Sequence, residues 1–142
     1  MAASMKRLEF KQRYVEYVQG LFILPNEKRF PKEQPVVNLG KELSERLMPI
    51  PKEGRPNAVT NLLDDIIQPY RSVSLTHLEV LFTDYLKLDV LRSLLSLCRN
   101  RKICIVWPGN TISGRFIYAT PERPEYYECD PANLQDTYII TE

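Results

Sequence analysis

The sequence predicts an α/β layered domain with a mainly parallel central sheet. Three observations carry that expectation. Short apolar runs alternate with amphipathic stretches, the pattern of strands joined by crossover helices. One run, ICIVW at 103–107, is apolar throughout, as a strand covered on both faces must be. Residues 87–98 place Leu88, Leu91, Leu94, Leu95 and Cys98 at helical spacing, which gives a helix one buried face.

The elements follow in order. Residues 5–19 set Leu8, Tyr14, Val15 and Val18 among charges, fitting an amphipathic helix with Gly20 as its left-handed terminator. LFIL at 21–24 reads as a short buried strand. PNEKRFPKEQP (25–35) contains three prolines, each denying the backbone a donor, and reads as an exposed loop. A second strand is expected at 36–38 and a short helix at 41–48, with Leu43 and Leu47 one turn apart. After a loop at 49–56, Asn57 is the expected cap of a helix to about Gln68, burying Val59, Leu62, Leu63, Ile66 and Ile67. Residues 72–75, 116–119 and 137–141 are further strands, while periodicity leaves the type of LEVLF (78–82) open.

At 142 residues, with no internal repeat, the chain suits one domain, 1–142. A composition of 44% hydrophobic and 26% charged residues excludes a disordered chain. The net charge of +1 excludes an overall pull on nucleic acid or anionic lipid, leaving only local basic patches. The first residues lack the apolar stretch of a secretory signal, and no run approaches the roughly 20 apolar residues of a membrane span. Cys98, Cys104 and Cys129 include no C-x-x-C pair, so reduced thiols in a cytoplasmic protein are expected rather than disulfides or zinc.

Among local motifs, GNTISG (109–114) has the glycine spacing of a phosphate-cradling loop. Arg115 and Phe116 then stand where lysine and a hydroxyl residue are needed, and strand character follows instead of a helix, so a glycine-bearing hairpin is the better reading. The run Arg99-Asn100-Arg101-Lys102 suits the C-terminal end of a helix dipole; an anion or partner contact through Arg99 or Arg101 is the sharper reading. His77, the only histidine, has no nucleophile motif to complete. Asp64 and Asp65 read as solvated helix residues, and Glu125, Glu128 and Asp130 as a solvated acidic cluster rather than a metal site. Tyr118, Tyr126 and Tyr127 fit either core or interface.

The strings LEVLF (78–82), LKLDVLRSLLSLCRNR (86–101), Trp107 before Gly109, and GRFIYATPERPEY (114–126) resemble BrxF, the small P-loop protein of bacteriophage exclusion (BREX) defence systems. VVNLGKELSERLM (36–48) resembles the segment following that family's first helix, so the resemblance spans roughly residues 36–128. It implies a small P-loop or AAA-like fold, here truncated at the phosphate-loop region. The residues that would serve a nucleotide depart from the family pattern. PNEKRFPKEQP stands where the phosphate loop belongs, Thr76 and His77 replace the magnesium-binding acid, and Pro108 replaces the polar residue after the tryptophan. Phosphoryl transfer depends almost wholly on such positioning and charge stabilisation. The resemblance therefore implies a non-enzymatic pseudo-ATPase with no cofactor: an assembly or adaptor subunit of a BREX-type defence system that self-associates or docks on a larger component. Its expected partner contacts are Arg99, Arg101, Tyr118, Glu125 and Tyr126. Two alternatives stay open: a nucleic-acid module using Arg99, Arg101 and Lys102, and a nucleotide site between subunits with Arg99 or Arg101 supplied in trans.

Overall fold

A computed structural model describes residues 2–142. Its core is a sheet of six parallel strands, β1 (Ala3–Lys6), β2 (Gly20–Leu24), β3 (Val36–Asn38), β4 (Ser72–Thr76), β5 (Lys102–Val106) and β9 (Thr137–Thr141), in the order β1-β9-β2-β5-β4-β3. A second, antiparallel sheet joins β6 (Asn110–Ile112), β7 (Arg115–Tyr118) and β8 (Tyr127–Cys129). The helices are α1 (Arg7–Arg13), α2 (Leu39–Leu47), α3 (Arg55–Ile67) and α4 (Val90–Ser96). The mainly parallel α/β architecture expected from the sequence is the one observed.

Strand alternation divides the core. Leu21, Ile23, Ile103 and Ile105 face the larger cluster, which α2, α3 and α4 cover with Leu43, Leu63, Leu94 and their neighbours. Phe22, Leu24 and Cys104 face the opposite side, where Phe10 and Tyr14 meet Phe30 from the 25–35 loop. Each fully buried leucine contributes roughly 1.5–3 kcal/mol through its removal from water, so the three-helix face dominates stability.

Several local expectations are corrected. Residues 5–19 are not one helix: β1 pairs with β9, α1 occupies only Arg7–Arg13, and a 3-10 turn covers Tyr14–Glu16. Gly20 opens β2 at φ 149°, and a Cβ there would stand 2.9 Å from the Tyr138 ring, so close approach requires the glycine. Helix α3 starts ahead of Asn57, at Arg55, because Pro56 fits a first turn whose N–H groups lack helical partners. Helix α4 is shorter than 87–98: Lys87 is left-handed at φ 54°, and the Asp89 side chain caps the helix by accepting from the Arg92 amide at 3.5 Å. Residues 78–82 form a 3-10 helix.

Candidate functional site

In an open parallel sheet, ligands gather beyond the carboxyl ends of the strands where the chain reverses its order. Here that point is β2: the chain leaves it toward β3, β4 and β5 on one side, then crosses over to β9 on the other. The crevice beyond β2 has a volume of about 230 Å³. Its walls are Leu24, Pro25, Trp107, Phe116 and Ile140, and neither a cation nor a carboxylate lines it among the described residues. Pro25 has no backbone N–H, Asn26 is extended at φ −162°, and a 3-10 turn follows at Glu27–Arg29 before Phe30 dives into the core. The chain therefore spends the connection from β2 to β3 on a loop with a single 3-10 turn and no α-helix.

Neither residue at the carboxyl end of β4 is a carboxylate. Thr76 ends β4 and donates its hydroxyl to the Val37 carbonyl at 3.4 Å. His77 follows at φ 57°, exposed, with Nδ1 3.0 Å from the Thr76 hydroxyl. Gly40 in α2 lies against it, since a Cβ there would stand 2.9 Å from the His77 carbonyl oxygen. GNTISG forms the β6–β7 hairpin, turned by Ser113 at φ 51° and Gly114 at φ 78°, as the sequence suggests.

The arginines and tyrosines lie at opposite ends of the sheet. Arg101 donates to the Tyr70 carbonyl at 2.6 Å and to the Leu97 carbonyl at 2.9 Å, fastening the C-terminal end of α4. Lys102 lies on the other face, donating to the Tyr14 carbonyl at 3.2 Å with its ammonium 4.1 Å from that ring; burial lowers its pKa. Arg99 is exposed beside a hollow it shares with Gln19 and Asp136. The three cations thus face different surroundings and do not converge on one anion. Tyr118, Glu125 and Tyr126 lie beyond the carboxyl end of β5, about 17 Å of strand away from Arg99 and Arg101.

In that distal region the tyrosines divide. Tyr118 stacks on Phe82 with ring centroids 3.9 Å apart. Tyr127 donates to Asp89 at 2.6 Å and accepts from the Leu91 amide at 3.1 Å, anchoring the small sheet to the start of α4. Tyr126 stays at the surface, donating to Glu128 at 2.6 Å. Arg123 holds Glu125, and Arg115 holds Glu128 and Asp130 across the strands. Bonds from Tyr126 and Arg115 keep the Glu128 carboxyl below its usual range. Among the described residues no cluster of three or more His, Cys, Asp or Glu side chains could hold a metal ion, and no helix is long and apolar enough to cross a membrane.

Cys98 and Cys104 are core residues, whereas Cys129 is half-buried in β8. Burial pushes Cys98 up to about 12 and Cys104 up to about 11. Both values lie above that of an unfolded thiol, so the folded chain keeps protons that the unfolded chain releases. The stabilisation is fully present below about pH 9 and declines as pH rises toward 11. Urea midpoints should therefore fall between pH 9 and pH 11, and Cys98→Ala with Cys104→Ala should flatten that decline; an unchanged slope would refute the assignment to these thiols.

What the sequence reading missed is the other side of the sheet. Phe30, the one aromatic in a loop of prolines and charges, is 8% exposed and joins Phe10 and Tyr14 in the second core. A lone aromatic in so polar a segment was the available sign that the loop is packed. Comparisons with family models, with curated proteins and with solved structures returned no significant match.

Proposed function

We propose that this protein is a non-catalytic subunit of P-loop-like descent, working as an assembly or adaptor component of a BREX-type phage-defence system. The supporting observation is the crevice at β2, which proline, aromatic and aliphatic side chains line without a single cation. A phosphate gains its hold from convergent backbone amides and cations. Pro25 removes the first amide, and the extended Asn26 turns the chain away before any ring of donors forms. The resemblance to BrxF supplies the link to phage defence. Small size and the absence of charge in the crevice fit a component whose work is binding.

The test is thermal unfolding with and without millimolar ATP and magnesium. A micromolar site would stabilise the fold by about 4 kcal/mol at a thousandfold excess, which moves Tm by many degrees for a chain of this size. We expect a shift below about 1 °C, equivalent to a small fraction of 1 kcal/mol. A shift of several degrees would refute the pseudo-ATPase reading. Co-purification with the other proteins of a BREX system tests the adaptor role, and failure to associate with any of them would refute that part.

A further inference from the structure

Helix α1 and the loop between β2 and β3 enclose a groove of about 470 Å³ on the sheet face opposite α2, α3 and α4. Its floor is apolar: Phe10, Tyr14 and Phe30 pack into the second core at 5%, 8% and 8% exposure. Its rim is basic, made by Arg7, Lys11, Lys28, Arg29 and Lys32. That concentration is local, because the whole chain carries a net charge of only +1.

The rim already holds one carboxylate. Glu142 reaches Arg29 at 3.2 Å and Arg7 at 3.7 Å. Lys11, Lys28 and Lys32 form no ion pair among the described residues. Exposed lysines are ordinarily solvated, and their stems often cover apolar surface. Here the covering is incomplete: Val15, on the groove wall, is 82% exposed. The fold leaves Val15 in water beside unpaired cations. A matching occupant carries the reverse pattern, carboxylates around an apolar anchor.

A single nucleic-acid strand would satisfy the cations, but it binds by stacking bases on open aromatic faces. Phe10 and Tyr14 use their rings on each other at 5.0 Å and on Phe22, so no such face is offered. We propose that this groove docks an acidic segment of a partner protein. An aliphatic or aromatic side chain seats against Val15 and the Phe30 floor, and flanking Asp or Glu residues meet Lys11, Lys28 and Lys32. The proposal gives the adaptor reading its contact surface, yet it concerns a face remote from the nucleotide crevice and is tested separately.

The experiment selects a displayed random-peptide library on the purified full-length chain. The expected winners combine Asp or Glu with Leu, Ile, Phe or Trp. A synthetic winner should lose about tenfold or more in affinity to the Lys11→Glu/Lys28→Glu/Lys32→Glu variant and should weaken as salt rises. Val15→Asp should weaken it as well. A Lys-to-Gln version of the triple variant, with a melting curve matching the parent, serves if charge reversal impairs folding. The proposal fails if no sequence is enriched, if winners lack acidic residues, or if they bind the triple variants as well as the parent. It also fails if a labelled oligo-dT strand binds this face more tightly than any peptide. A nucleotide-induced Tm shift would remove the pseudo-ATPase reading and leave this result untouched.

Discussion

Gly109→Ala is expected to destabilise the fold by about 2–6 kcal/mol, the sum of an overpacking cost and a broken buried hydrogen bond. A Cβ at this position would stand 2.0 Å from the Ile117 carbonyl oxygen, which is backbone and cannot swing away, and 3.0 Å from Trp107 Nε1. The same two groups are bonded to each other: Trp107 Nε1 donates to the Ile117 carbonyl at 3.1 Å. Relief of the clash therefore requires the β6–β7 hairpin to move off the tryptophan, which leaves a largely buried indole N–H without its acceptor. Trp107 also contacts Phe82, Phe116 and Tyr127, so the displacement reaches the small sheet's attachment to α4. Urea unfolding followed by fluorescence of Trp107, the only tryptophan, measures both effects. A loss under 1 kcal/mol would mean that the hairpin is not docked as described.

The need for glycine at 109 was hidden in the sequence, and the reason generalises to the rest of the chain. What periodicity carries was legible. ICIVW gave β5 and its central position, Leu91 and Leu94 gave part of the buried face of α4, and LFIL gave β2. Features set by distant pairing were not. Strand β1 has no alternation of its own beyond Met5 and exists because β9 lies beside it, so it reads as the start of a helix. Strands β6 and β8 are three residues each, exposed or half-buried, and are defined only by their pairing with β7. The uncharged crevice was half legible: Pro25 and the missing cation stand in the sequence, whereas the contributions of Phe116 and Ile140 to its wall require the fold. The basic groove was not legible at all, because Lys11 and Lys28 are brought together by the packing of Phe30 rather than by spacing.

Tyr14 provides the second large effect, and its two variants separate packing from hydrogen bonding. The ring lies 5.0 Å from both Phe10 and Phe22, with Phe22 edge-on, and forms the centre of the smaller core. Removing it in Tyr14→Ala should cost about 3–5 kcal/mol, as for other large aromatic truncations. The hydroxyl has its own partners: it donates to Gln34 Oε1 at 2.6 Å and accepts from the Cys104 thiol at 3.5 Å, while Gln34 donates onward to Ser74 at 3.0 Å. Burial raises the Tyr14 pKa, so the phenol stays neutral and remains a donor to Gln34 well above neutral pH. Tyr14→Phe keeps the ring but leaves the Gln34 acceptor unpaired, at about 1–3 kcal/mol. Combining it with Gln34→Ala should recover part of that loss, because the stranded group is then gone as well. If Phe costs as much as Ala, the network rather than the ring holds α1 to the sheet; if Phe costs nothing, water replaces the hydroxyl and the 25–35 loop is open. Only the ordering Ala above Phe, with recovery in the double variant, fits a loop held closed by Gln34 and Phe30 together. That closure also fixes the groove floor, so both variants should weaken affinity for an acidic peptide, Tyr14→Ala more than Tyr14→Phe.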